Sequence, residues 1–385
     1  MQSFPLSAFS RIETPFYFYD SALLQQTLDC IKAVIPSDYV VHYAVKANAN
    51  PCILQRIAAA GLGADCVSGG EISAALQAGF MADKIVFSGV GKSDREIRLG
   101  LENSIYCFNV ESVAELEVID SLAAEMGVTA PVALRVNPHI DAHTHHYITT
   151  GLSENKFGID ITQVDSVIEL LLSLKHVHFR GLHFHIGSQV LTLEPYRLLC
   201  QTVNDLQERF ADRGITMEYV NVGGGLGVDY EDPDVHPIPD FKGYFATFMN
   251  HLTLLQGQKL HFELGRAIVC QCGSLITRVL YVKQGLDKRF AIVDAGMTDL
   301  IRPALYQAYH KIENISSILP PQPYDVVGPI CESSDCFGTN VMLPATRRGD
   351  LIVLRSAGAY GEIMASQYNC RELPHAYFSD QLEQG

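Results

Sequence analysis

Over its first two thirds the chain repeats one unit, a short β-rich run followed by a stretch with apolar residues three and four apart. The runs are YVVHYAVKA, GADCVS, KIVFSG, IYCFNV, PVALRVNP, FRGLHFHIGS, MEYVNVGGG and KLHFELGR. Between them lie amphipathic stretches such as NPCILQRIAAAG, GGEISAALQAG, ESVAELEVIDSLAAEMG and DSVIELLLSLKH, several of which stop at glycine. Several runs are nearly apolar throughout, as strands are when a parallel sheet is covered on both faces. About eight β-then-α units in roughly 240 residues predict an α/β fold, a (β/α)8 barrel of TIM type. An open doubly wound sheet is the alternative. It wants a G-x-G-x-x-G turn after an early strand, and none is present.

After residue 270 the texture changes. SLITRVLYVKQG, RFAIVDAGM, YDVVGPIC and DLIVLRSAGAYG read as strands separated by turns, which predicts a smaller, mostly antiparallel β domain. TPFYFYD near the start is also strand-like and is expected to pair into that domain. The predicted boundaries are 27–270 for the barrel, and 1–26 with 271–385 for the β domain. A chain of 385 residues is too long for one ordinary domain, which suits this division.

Composition excludes several classes. No run of about 18 apolar residues is present to span a membrane. The opening MQSFPLSAFSRIETPF lacks the basic patch and apolar stretch of a secretion signal, so a cytoplasmic protein is expected. A formal net charge of −15 without a basic stripe argues against nucleic acid as a partner. The 10 cysteines are scattered singly apart from CQC at 270–272, where neighbouring strand positions point to opposite faces. Most are expected to be reduced, buried and small, with no metal bound.

In such a barrel the chemistry collects at the carboxyl ends of the strands. There the first run ends in Lys46, the sixth in HFHIGS with His183, His185 and Ser188, the seventh in Gly223, Gly224 and Gly225, and the eighth in ELGR with Glu263 and Arg266. Taken one at a time these have plainer readings: a surface lysine, a satisfied core histidine, a tight turn, a structural ion pair. Together they point to an anion held by glycine backbone and a guanidinium, with an amine, a carboxylate and an aromatic face beside it. Pyridoxal 5′-phosphate needs each part: a lysine for its aldehyde, a carboxylate for its pyridine nitrogen, a flat neighbour for its ring.

The motifs HYAVKANANP, GADCVSGGE, HFHIGSQ, NVGGGLG, ELGR, RPALY, GPICESSD and GAYG, in this order, resemble the fold-type III pyridoxal-phosphate decarboxylases over nearly the whole chain. That resemblance implies the alanine racemase-like architecture, a barrel plus β domain. It implies that Lys46 carries the cofactor, His185 stacks on its ring, Glu263 meets its nitrogen, and Ser188, Gly223 to Gly225, Arg266 and Tyr360 surround its phosphate. The substrate it implies is meso-2,6-diaminopimelate, decarboxylated to L-lysine and CO2. Arg302 and Tyr306 of RPALY would meet the far carboxylate and Glu332 the far amine, with Arg266 and Tyr360 also on the substrate side. It further implies a homodimer with shared sites, Cys331 and Glu332 of CESSD coming from the partner chain and Cys331 acting as the acid. Ornithine or arginine decarboxylation on the same fold is the alternative, as is a non-catalytic carrier of the cofactor. A racemase is disfavoured by CESSD, and a metal-dependent hydrolase would leave Lys46 and the triple glycine without a purpose. ELGR replaces the family's EPGR, and Glu362 stands where relatives often carry an aromatic residue. The histidine-rich run HIDAHTHHYITTGLSENKFG is expected to be a solvated entrance loop.

Overall fold

The computed structural model describes residues 4–141 and 156–382. It divides into two compact units, one of Leu28–Gly227 with Asp240–Gly265, the other of Met1–Thr27 with Val228–Pro239 and Arg266–Gly385. His143, His145 and His146 of the histidine-rich run lie outside the described residues.

The first unit is the barrel. Its eight strands are Tyr39–Ala44, Gly63–Cys66, Ile85–Phe87, Cys107–Val110, Ala130–Asn137, Val177–His183, Tyr219–Asn221 and Lys259–Leu264. Each pairs in parallel with the next, and the eighth closes on the first with Leu260 opposite Tyr39 and Leu264 opposite Tyr43. Closure removes every free sheet edge, which short strands of this apolarity require to avoid pairing with other chains. A two-residue strand, Ile159–Asp160, adds to the end of the fifth.

Local chemistry sets where strands give way to helices. Asn50 accepts from the Cys52 N–H and Pro51 begins the helix Pro51–Ala59. Ser68 accepts from the Glu71 N–H at the start of Gly69–Ala78, and that helix stops at Gly79 with φ +98°. Ser93 and Glu96 form a reciprocal capping box ahead of Asp94–Glu102. Each helix then buries its apolar stripe, for example Ile53, Leu54 and Ile57.

The second unit is a sheet ordered Ile312–Asn314, Leu351–Leu354, Gly273–Gln284, Arg289–Val293, Pro321–Val327, Cys336–Pro344. Phe16–Tyr19 pairs antiparallel with Gly273–Ile276, so the strand near the start of the chain joins this domain as the sequence suggests. Phe9, Phe16, Phe18, Ile276, Leu351 and Val353 form its core, with Phe9 edge-on to Phe16 and Phe18. Among the described residues no helix is long and apolar enough to cross a membrane.

Candidate active site

The first barrel strand passes into a single 3₁₀ turn, Val45–Ala47, in which Val45 and Ala47 are buried and Lys46 is not. The Lys46 side chain keeps 37% of its exposure, and its Nζ lies 3.4 Å from Asp65 Oδ2 on the second strand. From Asp65 a hydrogen-bonded chain crosses the barrel. Ser88 Oγ donates to Asp65 Oδ1 at 2.8 Å, and Asn109 Nδ2 donates to Ser88 Oγ at 2.9 Å and to Glu263 Oε1 at 3.2 Å. Asn221 Nδ2 gives the same Glu263 oxygen a second bond at 2.8 Å, and His183 Nε2 donates to Oε2 at 3.0 Å. Burial by itself would raise the Glu263 carboxyl. The facing His183 ring and its hydrogen bond outweigh it, with Lys46 adding to the effect, and hold the group well below the usual carboxylate range. Glu263 is therefore a buried, fully solvated-by-protein anion.

His185 follows the sixth strand and is half-buried. Its Nδ1 accepts the Gly224 N–H at 3.3 Å, which fixes the ring. Burial, then the Lys46 charge, lower its pKa well below the histidine norm, so the ring is neutral. Ser188 sits in the turn just beyond. The triple glycine spends two of its N–H groups inside the protein. Gly223 N–H goes to Asn221 Oδ1 at 2.9 Å and Gly224 N–H to His185, leaving Gly225 as the one of the three whose N–H has no intramolecular acceptor among the described residues. The glycines answer first to packing. A Cβ on Gly224 would lie 1.8 Å from the Glu263 carbonyl oxygen, and one on Gly225, where φ is +98°, 2.4 Å from that of Gly187.

Another group of predicted residues belongs to the β unit. Arg266 is buried, with Nη1 donating to Tyr230 Oη at 2.5 Å and its guanidinium 4.9 Å from the Tyr360 ring centroid. Tyr360 holds a left-handed backbone, φ +57°, an uncommon choice for a side chain of this size. Arg302 opens the helix Arg302–Tyr306 and is buried, while Tyr306 is half-buried. Its Nη1 donates to Tyr230 Oη and to His310 Nε2, both at 2.9 Å. Glu362, the departure from the family pattern, accepts from the Tyr19 hydroxyl at 2.6 Å. Cys331 and Glu332 are exposed. The buried Asp335 of the same CESSD segment accepts from the Ile330 N–H at 2.7 Å and the Met297 N–H at 2.6 Å, which pins the loop that presents them.

Sequence reasoning missed Asp65, Ser88, Asn109, Asn221, Tyr230 and His310, and took His183 as filler. A signal was available for the barrel residues: each is a lone polar side chain in or just after an apolar strand, in GADC, IVFS, CFNV and YVN. Buried polar groups of that kind need partners, and in a closed barrel the partners are one another. Cys270 and Cys272 are buried and point their thiols at the Ser356 and Val269 carbonyls. Among the described residues no His, Cys, Asp and Glu side chains gather as a metal site.

A parallel barrel with a lysine turn after its first strand and an ionised glutamate on its last is the arrangement of a pyridoxal-dependent enzyme, and residues 22–270 match the family model for the pyridoxal-dependent decarboxylases, pyridoxal binding domain. The diaminopimelate decarboxylase of Bacteroides thetaiotaomicron is 62% identical over 382 residues, 98% of this chain and 99% of that one. That of Pseudomonas aeruginosa is 45% identical over 363 residues, 94% of this chain and 86% of that one. The crystal structure of the Helicobacter pylori diaminopimelate decarboxylase complexed with L-lysine superposes with a TM-score of 0.91 at 42% identity, over 97% of this chain and 93% of that one. The chain belongs to the diaminopimelate decarboxylases of the pyridoxal-dependent decarboxylase family.

Proposed function

We propose that this chain decarboxylates meso-2,6-diaminopimelate to L-lysine and CO2 with pyridoxal 5′-phosphate as cofactor, the closing step of bacterial lysine synthesis. The observation that carries the reading is Glu263, a buried carboxylate kept ionised by three side-chain donors and linked through Asn109, Ser88 and Asp65 to the Lys46 amine. The residues present in the barrel unit fit the group: an anion for a ring nitrogen, a neutral imidazole for a ring face, an amine for an aldehyde, and a Gly225 N–H without an intramolecular acceptor among the described residues for a phosphate. When bound, the cofactor supplies an aldehyde that condenses with amines and a pyridinium ring that takes up the electron pair released with CO2.

The protein's share is binding and proton placement. Glu263 holds a proton on the ring nitrogen, because an anion of such low basicity makes an ion pair without taking that proton away. Lys46 must lose a proton before its amine can bond. Asp65 can receive it, since burial and then the Glu263 charge raise its pKa. His185, fixed by Gly224, supplies the flat neighbour. Ser188, Gly223 to Gly225, Arg266 and Tyr360 are assigned to the phosphate. Arg302 and Tyr306 are assigned to the substrate's far carboxylate, and Arg266 and Tyr360 also flank the substrate. Cys331 of the partner subunit is assigned as the acid, and Glu332 of the partner subunit as the contact for the far amine. Exposure of both residues at a pinned loop favours a homodimer with shared sites, and the cytoplasm is the compartment proposed for it.

The reading is tested by CO2 release from purified protein with pyridoxal phosphate, offered diaminopimelate, ornithine, arginine and lysine. Only diaminopimelate is expected to turn over well, with Lys46→Ala inactive yet folded. Turnover of ornithine at a comparable kcat/KM would sink the substrate assignment. A colourless protein indifferent to borohydride would sink the cofactor. The ornithine and arginine alternative suits Arg302 poorly, since those substrates bring a cation to a buried guanidinium.

A further inference from the structure

A buried guanidinium is costly unless something compensates it, and folds usually provide a carboxylate. Arg302 is 6% exposed, yet among the described residues no Asp or Glu pairs with it. Its partners are the Tyr230 hydroxyl and His310 Nε2, each accepting from Nη1 at 2.9 Å. His310 Nδ1 lies 2.9 Å from the Arg355 carbonyl, which can only accept. The ring hydrogen is therefore on Nδ1, and the Nε2 lone pair faces Arg302. Burial, then the Arg302 charge itself, push His310 down to about 3, so it stays a neutral acceptor. Tyr230 is equally neutral, with burial raising its hydroxyl to about 12. Its oxygen takes one bond from Arg266 at 2.5 Å and one from Arg302, and Cys270 Sγ lies 3.3 Å away. The Tyr230 ring also packs 5.1 Å from the Arg302 guanidinium and edge-on to His310 at 5.3 Å.

Both hydrogens of Nη1 are thus spent on neutral acceptors, while among the described residues Nε and Nη2 have none in the protein. These two form the side-on edge of the fork, the one that takes a carboxylate bidentately. We infer that Tyr230 and His310 are positioning residues for substrate specificity: they clamp the Nη1 corner of Arg302 without neutralising it and aim its Nε–Nη2 edge at an anionic substrate end. The inference rests on the assignment of Arg302 to the far carboxylate. An aspartate in place of either residue would fix the guanidinium as well, but would cancel the charge that recognises the substrate. Tyr230 further ties Arg302 to Arg266, so one oxygen sets the spacing of two cationic groups.

The test is steady-state kinetics on diaminopimelate with pyridoxal phosphate saturating, and thermal unfolding as the check on fold. Tyr230→Phe and His310→Leu are expected to raise KM about tenfold or more with kcat within about threefold. His310→Gln, which restores an acceptor, is expected to return KM to within about threefold of the parent. Arg302→Ala combined with His310→Leu is expected to be no worse than Arg302→Ala alone, because a residue acting only through Arg302 has nothing left to position. If Arg302→Ala raises KM while Tyr230→Phe and His310→Leu do not, this inference falls and the substrate reading stands. A His310→Leu penalty that persists undiminished on the Arg302→Ala background also overturns it. If Arg302→Ala leaves KM unchanged, the substrate reading falls and takes the inference with it. Should His310→Leu fail to fold, Tyr230→Phe, the loss of a single oxygen, decides alone.

Discussion

Glu263→Gln separates the charge of the barrel carboxylate from its shape. Both asparagines donate to one oxygen, Asn109 at 3.2 Å and Asn221 at 2.8 Å, so an amide oxygen placed there keeps both bonds. The amide nitrogen then faces His183 Nε2, which donates across 3.0 Å in the parent. His183 must move its hydrogen to Nδ1, an atom buried without an acceptor. Three charge-assisted bonds become neutral ones at a loss of about 1 kcal/mol apiece, and the orphaned N–H costs about 1–3 kcal/mol more. Removing a buried charge returns several kcal/mol of desolvation, so the terms nearly cancel and unfolding free energy shifts by less than about 2 kcal/mol. In the role proposed for Glu263 activity has no such offset, because a neutral amide would not hold a proton on the ring nitrogen. CO2 release is expected to fall by at least about 10²–10³-fold, the scale for losing one electrostatic contact aimed at developing charge. The assay is CO2 release at saturating cofactor beside urea unfolding of the same preparation. Activity within tenfold of the parent would refute the role given to the charge, and an unfolded variant would refute the cancellation.

Lys92→Met strands a buried acid: Lys92 Nζ sits 2.6 Å from Glu115 and also donates to the Gly89 and Asn109 carbonyls, with its side chain 1% exposed. A loss of about 3–5 kcal/mol in urea unfolding is expected. Gly224→Ala puts a methyl 1.8 Å from a strand carbonyl, so soluble yield and far-ultraviolet circular dichroism are expected to show no folded protein. Stability should also decline in acid. His42 donates from Nδ1 to the Lys84 carbonyl and accepts on Nε2 from His261, and burial lowers its pKa from 6.5 to about 4. Below pH 6.5 the unfolded chain takes a proton that the fold refuses, so stability is lost progressively from there toward pH 4, roughly 1.5–2 kcal/mol of it by pH 5. Urea midpoints across that range measure the slope, and His42→Gln is expected to reduce it by His42's share, with His185, His261 and His310, whose pKa values burial also lowers, supplying the rest.

The fold was legible because both of its periodicities are local: apolar runs that end in Ser, Asn or Gly, then helices with apolar residues three and four apart. The positions of Lys46, His185 and Glu263 at the strand ends of the candidate site were legible because strand ends can be counted. The inner chain of Asp65, Ser88, Asn109 and Asn221 was not. A lone polar residue in an apolar strand looks the same whether it faces solvent at an edge or a partner four strands away, and only barrel closure decides. The triple glycine was legible only in part, for the opposite reason. Its sequence shows freedom of backbone, but not that Asn221 and His185 spend two of its three N–H groups. Val228–Pro239, the excursion that belongs with Tyr230 to the β unit, does carry a composition shift, rich in acids and prolines, but that pattern reads as a loop and does not say which unit the loop joins.

What barrel closure adds is a division of labour between two carboxyls. Asp65 and Glu263 stand at opposite ends of one hydrogen-bonded chain, and their pKa values are driven apart. Glu263, with three donors, stays ionised; Asp65, buried and facing the Glu263 charge, is raised. Two groups separated in this way can do different work at one pH, one as a permanent anion and one as a proton acceptor. Lys46 sits beside the second and not the first, 3.4 Å from Asp65 Oδ2. On the proposed roles, the amine that must shed a proton borders the one of these two carboxyls whose pKa is raised, while the ring nitrogen that must keep a proton is assigned to the one whose pKa is lowered.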